Sequence, residues 1–138
     1  LNLANPICHI NFYEAAAYSH WAGARLPSEF EWEHAAASQP IPIEPIRFQA
    51  TKHGEKNGLK DLHGSVWQWT NSAYSPYPKY TPASGAIGEY NGKFMSNQNV
   101  LRGSACCTPP YHSRHSYRNF FYPHQRWAFS GLRLAKDI

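Results

Sequence analysis

The sequence predicts an α+β fold, irregular and loop-rich, and three observations carry that expectation. Two N-terminal segments hold complete helix start signals, whereas residues beyond 60 read as short strands between turns. Eleven prolines and nine glycines in 138 residues disfavour long helices and regular sheet. Five tryptophans, nine tyrosines and seven phenylalanines nevertheless supply apolar surface for a core, and the hydrophobic fraction of 42% excludes a disordered tail.

The first helix is expected over residues 12–22. Asn11 and Glu14 have capping-box spacing, AAAYSHWA supplies helix formers, and Gly23 stops the run. The second is expected over 29–37, with Pro27 ahead of a Ser28 cap, Glu29 and Glu31 in the first turn where the helix dipole favours acids, and Trp32 and Ala35–Ala37 after them. Pro40, Pro42 and Pro45 make 39–58 a connection. Val66-Trp67-Gln68-Trp69-Thr70 alternates as a half-buried strand, 71–99 reads as a long ordered loop, and 100–102 and 129–134 read as further strands. Trp21, Trp32, Trp67, Trp69 and Phe129 are the expected core. No internal repeat, charge block or linker tract divides the chain, so one domain or part of one is predicted.

Composition also bounds function. No apolar run approaches the roughly 20 residues that cross a bilayer, and the N-terminus lacks the layout of a signal peptide, so a cytoplasmic, membrane-free protein is expected. Three cysteines, with Cys106 and Cys107 adjacent, imply no disulfide framework and reduced thiols. The net charge of +4 hides an asymmetry: residues 1–90 carry six basic and eight acidic side chains, residues 91–138 seven and one. The basic residues of the last third are dispersed and mostly arginine, which suits bidentate pairing with carboxylates better than tracking of nucleic-acid phosphates.

Three constellations are candidates for chemistry. Eight histidines invite a metal test, but His112 and His115 are the one close pair singled out, and neither HExxH nor CxxC occurs. Cys106 follows a Gly103-Ser104 turn beside Arg102, which suits either a nucleophile or a buried structural thiol. Tyr117-Arg118-Asn119-Phe120-Phe121-Tyr122 reads either as a core strand with a snorkelling arginine or as a pocket. In the second reading aromatic faces take an ammonium while Asn and Arg take a carboxylate.

NFYEAAAYSHWAGARLPSEFEWEHAA, DLHGSVWQWTNSAYSPYP, GEYNGKFM and NVLRGSACCTPPYHSRHSYRNFFYPHQRWAFSGLRLA resemble, in that order and over nearly the whole chain, the C-terminal part of the formylglycine-generating-enzyme-like (sulfatase-modifying-factor) domain. The resemblance implies a C-type-lectin-like fold, here a partial domain spanning 1–138. EYNGKFM and YRNFFYPHQRW resemble the non-haem iron sulfoxide synthases of ergothioneine and ovothiol biosynthesis, which use oxygen to join a sulfur donor to histidine or trimethylhistidine. That implies Fe(II) held by histidines of an upstream helical segment outside this chain, and no metal ligands within it. The superfamily also admits a structural calcium.

The same resemblance assigns Asn119 to the carboxylate of the histidine-derived substrate and the Phe120 ring to its ammonium end, with Arg118 beside them. Phe121 matches an Asp of members that use γ-glutamylcysteine, so the resemblance shifts toward free cysteine. An active-site tyrosine of that branch falls opposite Gly88, with Tyr90 nearby. The adjacent pair Cys106 and Cys107 departs from the spaced copper-binding cysteines of formylglycine generation, which disfavours that oxidase chemistry. No catalytic residue is assigned, and a non-catalytic lectin-like binding module is the alternative function.

Overall fold

Helix α1, Phe12–Trp21, starts at the expected capping box. The Glu14 N–H donates to the Asn11 side chain at 2.8 Å, and the Asn11 N–H donates to the Glu14 carboxylate at 2.8 Å. It stops because Gly23 takes φ +62°, the left-handed conformation that glycine tolerates. Helix α2, Glu29–Ala36, repeats the device with Ser28 and Glu31. The computed structural model describes residues 2–41, 43 and 58–138, so most of the connection expected over 39–58 lies outside the described residues.

Four strands form one sheet: β1 (Trp67–Ala73), β2 (Asn99–Gly103), β3 (Asn119–Phe121) and β4 (Ser130–Leu132), in the order β3-β2-β1-β4. β2 is antiparallel to both β1 and β3, and β4 runs parallel to β1. Because side chains alternate along a strand, β1 serves two cores. Trp67 and Trp69 face a cluster with Ile10, Ala15, Leu26, Leu101 and Ala105, which places α1 on that side. Gln68 and its register partner Arg102 face the other side, toward α2. There the Trp32 indole N–H donates to Gln68 Oε1 at 2.7 Å, and Trp32 packs with Ala36 and Leu62.

Trp32, Trp67 and Trp69 are buried as expected, and Phe129 is half-buried against the first cluster. Trp21 is not core: it is 79% exposed and leans on Tyr18, ring centroids 5.6 Å apart. The reason is helical phase. α1 buries Ala15 and Ser19, and a residue two positions after Ser19 lies about 200° round the helix, on the solvent side.

The stretch 71–99 is not a single loop. β1 continues to Ala73, and a third helix, α3, runs from Ala86 to Gly92. Glycines at 85, 88 and 92 depress helix propensity and hide it from pattern reading. Gly88 is required by packing: a Cβ there would collide with the Ala83 carbonyl oxygen.

Candidate functional site

β3 is one of the two edge strands of the sheet, and its three side chains part to opposite faces. Phe121 turns to the α1 side, edge-on to Trp69 at 6.5 Å and to Trp127 at 4.7 Å. Phe120 turns the other way and lies flat on Tyr74, centroids 4.1 Å apart and planes 7° from parallel. Asn119 shares the parity of Phe121, and its side-chain oxygen accepts the Phe120 N–H at 2.9 Å. All three are half-buried.

Behind Phe120 a ladder of rings and charges leads to α2. The Arg118 guanidinium lies between Tyr74 and Tyr77, 4.7 and 4.3 Å from their centroids. It grips Glu29 in fork geometry, with Nε to Oε2 at 2.9 Å and Nη2 to Oε1 at 2.8 Å. Arg102, fully buried, donates to the same Glu29 at 3.1 Å, to Glu33 at 2.7 Å, and to the carbonyls of His115 and Tyr117 at 3.0 and 3.3 Å. Two arginines against two glutamates balance the charge, which a buried cluster of ions demands. Burial pushes the Tyr77 hydroxyl above the ordinary phenol range, and Glu29 adds to that push. Tyr77 therefore stays a neutral donor, 3.4 Å from Glu29. Against this cluster opens a cleft of about 440 Å³ lined by Phe30, Glu33, His34, Tyr77 and Ser116.

On the other side Phe94 reaches Phe120 at 6.1 Å and meets Tyr90 edge-on at 5.1 Å. Tyr90, on α3, is 60% exposed, and the Lys93 ammonium hangs 5.8 Å from its centroid. Of the five residues singled out from sequence, the structure thus joins Arg118, Phe120 and Tyr90 through Tyr74 and Phe94, while Asn119 and Phe121 belong to the opposite parity of β3. Gly88, opposite the tyrosine of the resembled branch, has no room for a side chain in this conformation.

Sequence reasoning missed Glu29, Tyr74, Tyr77 and Phe94. Glu29 read as an ordinary first-turn acid, and its depth, 2% exposed, is visible only once α2 lies on the sheet. Tyrosines at 74, 77 and 80, in a stretch otherwise rich in turn residues, were the available signal. The carboxylate pairing expected of the arginines in the last third is met within the chain itself. Arg102, Arg118 and Arg126 take their carboxylates from the chain's own Glu29, Glu33 and Glu14. Part of the charge asymmetry is cross-pairing between the two ends of the fold.

Other candidates are structural in character. His63, 4% exposed, sits 3.0 Å from His115 through ring nitrogens and edge-on to Trp32. Burial, reinforced by His115, pulls its pKa down to about 4, so it is neutral at ordinary pH. Burial pushes the Cys106 thiol up, the opposite of an activated nucleophile. Among the described residues no three His, Cys, Asp or Glu side chains gather as a metal-binding group, so these residues do not fit an iron centre or a carboxylate-built calcium site.

Comparison with known proteins places this geometry. The chain is 34% identical over 161 aligned positions to a hercynine oxygenase of Mycolicibacterium smegmatis, covering 96% of this chain and 38% of that protein. It is 28% identical to a formylglycine-generating enzyme of Mycobacterium tuberculosis, covering 83% of this chain and half of that one. It spans at most about half the length of these two relatives. The structure of PvdO from Pseudomonas aeruginosa shares the fold, with a TM-score of 0.53 at 20% identity over 98% of this chain and 63% of that one. The model of the sulfatase-modifying factor enzyme 1-like domain matches residues 2–55 and 42–138. On these matches, and on the loop-rich α+β architecture described above, the chain belongs to the sulfatase-modifying factor enzyme 1-like domain family.

Proposed function

We propose that this chain is the substrate-binding portion of an oxygen-dependent, iron-dependent sulfoxide synthase that forms a carbon–sulfur bond between cysteine and hercynine (trimethylhistidine) or histidine. The observation that carries the reading is the 34% identity to a hercynine oxygenase across 96% of the chain, against 28% across 83% for a formylglycine-generating enzyme. The burial-raised thiol of Cys106 also favours it over cysteine-based oxidase chemistry.

Iron supplies oxygen activation in such an enzyme. Its ligands would come from outside the described residues, whose part is binding and orientation. The substrate ammonium falls to the Phe120 ring, with Tyr90 at the rim beyond Phe94. Asn119, on the opposite parity of β3 with its side-chain oxygen on the Phe120 N–H, does not share that face, so the carboxylate role expected of it is dropped. Arg118 stands behind this surface with its fork taken by Glu29. Phe121, an uncharged ring against Trp69 and Trp127 where members that use γ-glutamylcysteine carry an Asp, lacks that charged contact and supports cysteine as the thiol.

The test uses the full-length natural protein with ferrous iron, oxygen and hercynine, and either cysteine or γ-glutamylcysteine, with products identified by mass spectrometry. A sulfoxide product from cysteine at a rate at least tenfold above that from γ-glutamylcysteine is expected. Hercynine binding without any carbon–sulfur product overturns the synthase in favour of a binding module of the same fold, and the reverse thiol preference overturns the role given to Phe121.

A further inference from the structure

Phe120 sits on a three-residue edge strand, which by itself holds a ring poorly. Yet its ring is fixed on Tyr74 within 7° of parallel. The source of that order can be followed atom by atom. Tyr74 has its phenol ring 4.7 Å from the Arg118 guanidinium, and the Tyr77 ring lies 4.3 Å from the same guanidinium. The guanidinium plane is in turn set by Glu29, which takes two parallel hydrogen bonds from it, and by the Ser75 carbonyl, which accepts a third at 3.0 Å. Glu29 cannot swing to follow it. Glu29 is 2% exposed, it begins a helix whose cap is closed, and fully buried Arg102 donates to its Oε2, the oxygen that also accepts from Arg118 Nε.

We infer that Glu29 and Arg118 are positioning residues for the Phe120 face of the substrate site: the planar fork between them sets the Tyr74 ring, and Tyr74 sets Phe120. This rests on the proposed function and moves Arg118 from substrate contact to support. Planarity is the decisive property. A lysine at 118 keeps the charge that Glu29 needs but presents a tetrahedral ammonium that neither stacks between two rings nor grips both carboxylate oxygens in one plane.

The experiment is made on the full-length natural protein with hercynine as the probe. Arg118→Lys and Tyr74→Leu are compared with Phe120→Ala, which tests the underlying reading. Two quantities are read: the hercynine dissociation constant, and the ring-current shift of a fluorinated phenylalanine at 120, which reports its stacking without any ligand. The expected result is that Arg118→Lys and Tyr74→Leu each weaken hercynine binding five- to tenfold and both collapse the 120 ring-current shift. Their double variant should be no weaker than the worse single, because both act on one chain of contacts.

If Phe120→Ala weakens binding but Arg118→Lys leaves both the affinity and the ring-current shift within twofold of the natural protein, the positioning role is wrong and the proposed site stands. If Phe120→Ala binds hercynine as the natural protein does, the site assignment fails and the positioning role fails with it. Glu29→Gln is a further variant with the same expected loss. Arg118→Lys keeps the test decisive if Glu29→Gln does not fold.

Discussion

Replacing Glu29 by Gln changes one oxygen for one nitrogen in a site that is 2% exposed, so it isolates charge and hydrogen bonding from volume. In the natural protein Glu29 accepts from Arg118 at 2.8 and 2.9 Å and from Arg102 at 3.1 Å. The Gln amide nitrogen carries two protons and no lone pair to offer, so one arginine donor faces another donor. Arg102 keeps Glu33, 39% exposed, as its remaining carboxylate, whereas Arg118 keeps no carboxylate, only the Ser75 carbonyl and one bond to the Gln oxygen. Breaking a buried, hydrogen-bonded ion pair from one side costs about 3–5 kcal/mol, because the other charge stays buried without compensation. Arg118 is 14% exposed and can tilt toward water, which favours the lower half of that range. For a chain of this size the loss corresponds to a Tm lower by roughly 10 °C. Urea unfolding followed by tryptophan fluorescence reads it as a shift of midpoint with unchanged slope. The double variant Glu29→Gln, Arg118→Met should recover about half of the loss, since it removes the stranded cation together with its partner. A single-variant loss below about 1 kcal/mol would show that the cluster is hydrated in solution and refute this account.

Three further outcomes are expected. Trp69→Ala should cost about 3–5 kcal/mol by urea unfolding, because it empties a fully buried ring site, whereas Trp21→Ala should stay within about 0.5 kcal/mol; equal losses would contradict the two environments. His63 is held neutral, its pKa pulled from 6.5 to about 4 by burial and His115, so its contribution is present above pH 6.5 and is lost as pH falls from there toward 4. The loss amounts to about 3 kcal/mol, and His63→Gln should flatten that part of a stability–pH curve; an unchanged curve would refute it. Gly88→Ala forces a methyl group against the Ala83 carbonyl, so it should disorder α3 and speed amide exchange over 85–93 while leaving β1 protected; uniform protection in the variant would show that the backbone yields without loss.

Legibility of the sequence varied with the range of the interaction. Capping boxes at Asn11 and Ser28 are encoded within four residues and were readable to the atom. The strands around Trp67, Leu101 and Gly131 were readable from alternation, although β4 is shorter than its pattern. Helix α3 was not readable, because three glycines mask it and it is met by a ring outside itself, Phe94 edge-on to Tyr90. The same limit applies to the candidate site. Asn119, Phe120 and Phe121 are neighbours in sequence, and the alternation of an edge strand sends the middle one to the opposite face.

What the sequence alone determined is the family, the fold class and the local starts and stops of α1 and α2, since motif order and capping chemistry survive without knowledge of distant contacts. What only the tertiary structure decided is the partner of each charge. Glu29 looked like a helix-dipole acid and Arg118 like a free carboxylate receptor, and the docking of α2 on the sheet makes them one buried clamp across 89 positions of sequence. Linear position carries no information on such a pairing, because it is the loss of water around both groups, created by packing, that compels them to meet.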